Sequence, residues 1–96
     1  MKPTVALELN RSAVREAVSR FYTANPRIFG SVLHGDDQEG SDLDLLVDAL
    51  PGTTLFELGG RQAELEDLLG VRVDVLTPDD LPPKFRQQVL AEAQPV

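Results

Sequence analysis

Hydrophobic positions change period repeatedly along the chain, and each change marks an element. Ala13, Val14, Ala17, Val18 and Phe21 recur at the spacing of one helical face, and Glu16 and Arg20 lie four apart on the other, which predicts a helix from about Ser12 to Tyr22 after an irregular start. Asn25 and Pro26 end it, and "RIFG" reads as a short strand because Ile28 and Phe29 have the branched and aromatic character that strands favour. "SVLHG" follows as a short helical turn. In "SDLDLLVDAL", a second strand, Leu43, Leu45 and Val47 face one way while Asp42 and Asp44 share the other. "PGTT" turns the chain, and Thr54 with Glu57 forms a capping box that starts a helix. Its expected buried stripe is Leu55, Leu58, Leu65, Leu68 and Leu69. Gly59 and Gly60 lie inside that helix at a cost of about 1 kcal/mol each relative to alanine, which points to close packing there. Gly70 suits the helix end, and "VRVDVL" alternates as a third strand with Val71, Val73 and Val75 opposite Asp74. Pro82 and Pro83 open a last helix in which Phe85, Val89 and Ala93 repeat every four residues, with Pro95 just past its end.

This pattern predicts the α/β class, a small mixed β-sheet flanked by helices, and no repeat, low-complexity tract or linker divides residues 1–96, which read as one domain. At 96 residues the core is modest. Nine Lys and Arg against sixteen Asp and Glu give a net charge of -7, which argues against a protein that coats nucleic-acid phosphates, so direct nucleic-acid binding is not expected. No cysteine is present, which removes disulfide frameworks and thiolate metal sites. The N-terminus lacks the apolar region of an export signal and no apolar run is long enough to span a bilayer, so a soluble, cytoplasmic protein without membrane contact is expected.

The acids therefore call for their own explanation. Two carboxylates at i and i+2 on a strand lie about 7 Å apart, and a neighbouring strand runs about 4.8 Å away. If Asp74 stands on that neighbour, three carboxylates converge and repel unless cations compensate them. Hard oxygen donors without His or Cys suit Mg2+ or Mn2+, and two such ions would serve phosphoryl or nucleotidyl transfer. Gly30 allows the backbone to approach a ligand closely, while the Ser31 hydroxyl and the amides that follow can donate to phosphate oxygens. Together these features outline a triphosphate site.

Plainer readings compete with this one. Asp36, Asp37 and Glu39 read as solvated loop acids, and His34 as a polar surface residue. Asp42 and Asp44 could form the charged outer face of an edge strand, and Asp74 alone could be a surface residue. A calcium loop in "DDQEGSDLD" fails on register: with Gly40 at the sixth position, Gly35 and Leu46 fall at the first and twelfth, where acids are required. No Walker A or dinucleotide-binding glycine motif occurs.

With Gly30-Ser31, ten intervening residues, Asp42-Leu43-Asp44 and a separate Asp74, the sequence resembles the DNA polymerase β type nucleotidyltransferase superfamily. The brevity of the chain and the "TLFELGGRQAELEDLLG" and "VRVDVLTPDDLPPKFRQQVL" segments are similar to the minimal nucleotidyltransferases, which typically serve as antitoxins to HEPN-domain ribonuclease toxins. The resemblance implies the polymerase β-like fold, metal binding by Asp42, Asp44 and Asp74, catalysis by the same three, and phosphate binding by Gly30 and Ser31. It implies ATP as substrate, two Mg2+ ions or Mn2+ in their place, and AMP transfer to a tyrosine hydroxyl of the toxin, within a hetero-oligomer. Many members carry arginine where this sequence has His34, and a neutral imidazole donates less charge to a triphosphate than a guanidinium does. A modest core leaves little room for an acceptor site, and an acidic surface suits a basic partner better than it suits RNA. Three other functions stay open: transfer to an RNA end or small molecule, an antitoxin acting by binding alone, and a structural domain whose acids are incidental.

Overall fold

The computed structural model describes residues 1–20 and 22–96. The chain runs through helix α1 (Pro3–Ser19), strand β1 (Thr23–Phe29), the one-turn helix α2 (Gly30–His34), strand β2 (Leu43–Ala49), helix α3 (Leu55–Leu69), strand β3 (Val73–Leu76), a 3₁₀ turn (Pro78–Asp80), helix α4 (Pro83–Glu92) and the short strand β4 (Gln94–Pro95). The sheet order is β3-β2-β1-β4. β1 is antiparallel to both β2 and β4, whereas β2 and β3 are parallel, joined by α3 as the crossover helix. The expected mixed sheet with flanking helices is therefore the fold observed.

The core lies between one sheet face and the pair α1 and α3. Leu43, Leu45, Val47, Val73 and Val75 project into it from the sheet, and Ala6, Leu7, Val14, Ala17, Val18, Leu65 and Leu69 meet them from the helices. Alternation along β2 and β3 makes this face apolar and leaves the aspartates on the other. Leu46 is an exception to that polarity: it belongs to the aspartate face yet is buried, where the 3₁₀ turn packs back against β2 and Leu81 is buried too.

Several expectations need correction. α1 begins at Pro3, well before Ser12, with a kink at Asn10 (φ -135°, ψ 20°), whose side-chain amide donates to the Ala6 carbonyl at 2.9 Å. Its first turn is capped from a distance. The Thr4 amide and hydroxyl donate to the Asp37 carboxylate at 2.8 and 2.5 Å, so Asp37 is a buried structural residue rather than a solvated one. α1 ends at Ser19, and Tyr22 has a positive φ of 68°, which a helix cannot contain; Phe21 lies outside the described residues. Arg20, expected to pair with Glu16 within the helix, reaches across to Glu64 of α3 at 2.6 Å.

β1 starts four residues before "RIFG" because a register irregularity between Ala24 and Arg27 accommodates Asn25 (φ 55°) and Pro26 within the strand. Pro26 has no amide to give the ladder, but its carbonyl accepts from Val96 at 3.0 Å, which fixes β4 along the edge of β1. In α3 the capping box of Thr54 and Glu57 is present, and Gly70 closes the helix with φ 70°. The predicted stripe is buried only in its second half, at Leu65 and Leu69: Leu55 is 83% exposed, and Gly59 and Gly60 have nothing within 4 Å of a built Cβ. Leu58 packs against the core and is partly buried, and Leu68 in the second half is exposed, so apolar spacing in this helix does not by itself mean burial. α4 likewise buries none of its residues; Phe85 is 49% exposed, and the Arg86 guanidinium ties the helix to the carbonyls of Pro78, Asp79 and Leu81.

Candidate active site

Parallel pairing brings the separated acids together. β2 and β3 are in register with Leu43 beside Val73, Asp44 beside Asp74 and Leu45 beside Val75. Since alternate residues share a face, Asp42, Asp44 and Asp74 all stand on the side away from the core. Asp74 is exposed, whereas Asp42 and Asp44 are partly buried. On the other side of Asp44, β1 contributes Phe29 as its antiparallel partner, and α2 begins at the next residue, Gly30.

Gly30 is fixed by two separate requirements. Its φ of 73° lies in the left-handed region, and a Cβ there would collide with Asp44 Oδ2 and stand 3.1 Å from Asp44 Cγ. The phosphate-binding turn expected from the sequence is thus packed against the central carboxylate. Ser31, half-buried, follows as the second residue of α2, and its carbonyl accepts from Asp36 at 2.9 Å. The structure therefore gathers all five predicted residues, Gly30, Ser31, Asp42, Asp44 and Asp74, at one end of β2.

The site carries an excess of negative charge. Burial, reinforced by the charges of Asp74 and Asp42 and by a hydrogen bond with Asp74, pushes the Asp44 carboxyl up to about 6 from its ordinary 3.8. A divalent cation would reverse that shift by favouring the ionised form. Among the described residues no three Asp, Glu or His side chains form a ready-made metal cage. The arrangement is an open row of carboxylates on a sheet face, with places for further oxygens, and that donor set fits Mg2+ sharing its coordination with phosphate.

Arg72 went unnoticed in the sequence. Its Nε lies 2.9 Å from Asp42 Oδ1, next to Asp42 just as Asp74 lies next to Asp44. The alternation in "VRVDVL" contains the signal, because Arg72 and Asp74 are two apart on one strand and so share a face. Arg72 also borders a shallow pocket of about 240 Å3 with Ser41, Gly40 and Val71. That pocket adjoins the aspartates and does not cover them; the chemistry sits on the open face, where the carboxylates are. His34 is exposed, as expected, with Nε2 3.4 Å from Glu92 Oε2 of α4. Glu39 Oε2 accepts from the Met1 ammonium at 2.5 Å.

A family model for the nucleotidyltransferase domain matches residues 11–96. The chain belongs to the nucleotidyltransferase family. Among its relatives, the protein adenylyltransferase MntA of Thermococcus cleftensis is 35% identical over 78 residues, covering 81% of this chain and 79% of the relative. MJ0435 of Methanocaldococcus jannaschii, assigned as a protein adenylyltransferase, is 41% identical over 66 residues, 69% of this chain and 71% of that one. A solved structure assigned as a minimal nucleotidyltransferase superposes with a TM-score of 0.86 at 43% identity, over 97% of this chain and 95% of that one. The fold alone is shared with a toxin–antitoxin complex solved with AMP-PNP, at a TM-score of 0.72 and 19% identity over 92% and 70% of the two chains. Among the described residues, no helix is long and apolar enough to cross a membrane.

Proposed function

We propose that this nucleotidyltransferase is an antitoxin that transfers AMP from ATP to a tyrosine hydroxyl of a HEPN-domain ribonuclease toxin and so silences it. The observation that carries the reading is the meeting of Asp42, Asp44 and Asp74 on one sheet face with Gly30 packed against Asp44. The protein adenylyltransferases among its relatives support the reaction class, and MntA–HepT toxin–antitoxin complexes among its fold neighbours support the choice of partner.

In this reading Gly30 and Ser31 hold the triphosphate through backbone amides and the serine hydroxyl. Asp42 and Asp44 would hold two Mg2+ ions, for which Mn2+ could substitute, and the exposed Asp74 would complete the set. Bound divalent ions would activate the acceptor oxygen and stabilise the departing one. The tyrosine oxygen forms a bond to the α-phosphorus as the bond from that phosphorus to the bridging oxygen of the β-phosphate breaks. Pyrophosphate leaves, and the phenolic proton passes to a carboxylate of the site and then to water. Modification adds a bulky anion to an enzyme that must accept an anionic RNA backbone, so charge and volume both oppose RNA binding.

ATP labelled at the α-phosphate or at the γ-phosphate distinguishes this reaction from its neighbours. Label should enter the toxin only from the α-position and only with a divalent ion present. Transfer from the γ-position would make the protein a kinase, and label in RNA in place of the toxin would favour transfer to an RNA end.

A further inference from the structure

Arg72 makes an unusual neighbour for a carboxylate meant to hold a cation. Its Nε is 2.9 Å from Asp42 Oδ1, an oxygen with almost no solvent contact and no hydrogen bond among the described residues, so the contact is one of charge without hydrogen-bond alignment. The guanidinium is not built into the protein. Its side chain is 75% exposed, and among the described residues its other side-chain polar contact is a long one, 3.5 Å from Nη2 to the Gly40 carbonyl. Beside it lies the open pocket bordered by Gly40, Ser41 and Val71, into which an exposed arginine can turn with little cost. The parallel register sets a contrast between the two carboxylates of β2: Asp44 faces another acid, Asp74, and is left with excess negative charge, while Asp42 faces a base.

From this contrast we infer that Arg72 is a positioning residue that holds Asp42 in place of a cation in the metal-free enzyme and must leave Asp42 Oδ1 when a divalent ion binds. The inference rests on the reading above that Asp42 is a metal ligand. Neutralising part of the charge of an acidic face keeps Asp42 oriented toward the site before any ion arrives, and an exposed pair is weak enough to be displaced. The same pairing lowers the affinity for free metal, so that tight binding of the ion awaits the nucleotide, whose phosphates bring further oxygen ligands.

The test is Mn2+ binding to the intact protein without nucleotide, followed by the loss of the free-ion electron paramagnetic resonance signal, in wild type, Arg72→Gln, Arg72→Lys and Asp42→Asn. Removing a competing positive charge from a largely exposed pair should tighten Mn2+ binding by about three- to tenfold in Arg72→Gln. Arg72→Lys, which keeps the charge, should stay close to wild type, and Asp42→Asn should weaken binding whatever stands at position 72. Unchanged or weaker binding in Arg72→Gln, with binding still dependent on Asp42, would overturn the role of Arg72 and leave the metal site standing. Mn2+ binding indifferent to Asp42 would instead remove the metal-ligand reading on which the inference rests. Circular dichroism spectra of the variants, matched to wild type, establish that each is folded.

Discussion

Asp44 gives up solvent to the Phe29–Gly30 corner on one side and faces Asp74 on the other, so its proton is held up to a pH of about 6. The consequence for stability has a definite sign. Well below pH 3.8 the carboxyl is protonated in folded and unfolded chains alike and nothing is lost. Between about pH 4 and 6 the unfolded chain releases the proton while the folded one keeps it, so stability without divalent ions should fall across that window and level off above it. Asp44→Asn abolishes the fall; allowing for partial exposure, it should stabilise the metal-free protein by about 1–2 kcal/mol at pH 7 while eliminating transfer. Thermal unfolding from pH 3.5 to 8 with and without Mg2+ checks this, and a variant less stable than wild type at pH 7 would contradict it. Gly30 admits a matched comparison, because Gly35 has the same φ of 73° with nothing within 4 Å of its would-be Cβ. Gly35→Ala should cost only the left-handed backbone penalty, about 1–2 kcal/mol, and keep activity. Gly30→Ala should cost more and lose activity too, because the new methyl displaces the Asp44 carboxylate. Equal Tm losses and equal activities in the two variants would sever the link between Gly30 and the site.

Elements of this fold are held by residues distant in sequence, and that is where reading the chain alone falls short. α1 supplies no side-chain cap of its own; Asp37 provides it from 33 positions away, and these hydrogen bonds hold the Asp37 carboxyl below its ordinary range. Asp37→Ala should therefore cost about 1–2 kcal/mol of stability, in line with lost helix caps, while leaving nucleotide transfer near wild type. A melting curve with a parallel transfer assay measures both, and an unchanged Tm would show the cap to be dispensable. Local signals did reveal much. Alternation in "SDLDLLVDAL" and "VRVDVL" fixed which residues face the core and which face the site, and the Thr54–Glu57 pair marked the start of α3. Pro3 at the first position of α1 was also readable, yet the kink at Asn10 breaks the periodicity that would have carried the helix back to it. β4 could not be read: two residues form it, and only the edge of β1 gives them a partner. Nor could the exposure of Leu55 and Phe56, since an apolar period reports a face and not whether another element reaches it.

Across the whole molecule, one apolar sheet face with two helices supplies the core, and the opposite face is left for chemistry. The five residues expected to form the site span positions 30 to 74, and the strand that joins them is β2, antiparallel to the strand leading into Gly30 and parallel to the one bearing Asp74. The chain as a whole carries a net charge of -7, which favours encounter with a basic protein over encounter with RNA. Inhibition by covalent transfer differs from inhibition by binding in one respect that can be measured: it outlasts the complex. The decisive measurement is the intact mass and RNA-cleaving activity of the proposed HEPN toxin partner after incubation with this protein, ATP and Mg2+ and subsequent separation. The account predicts a gain of one or more AMP units, about 329 Da each for transfer to a hydroxyl, with cleavage still lost after separation. A toxin of unchanged mass that regains cleavage once the two are parted would contradict it.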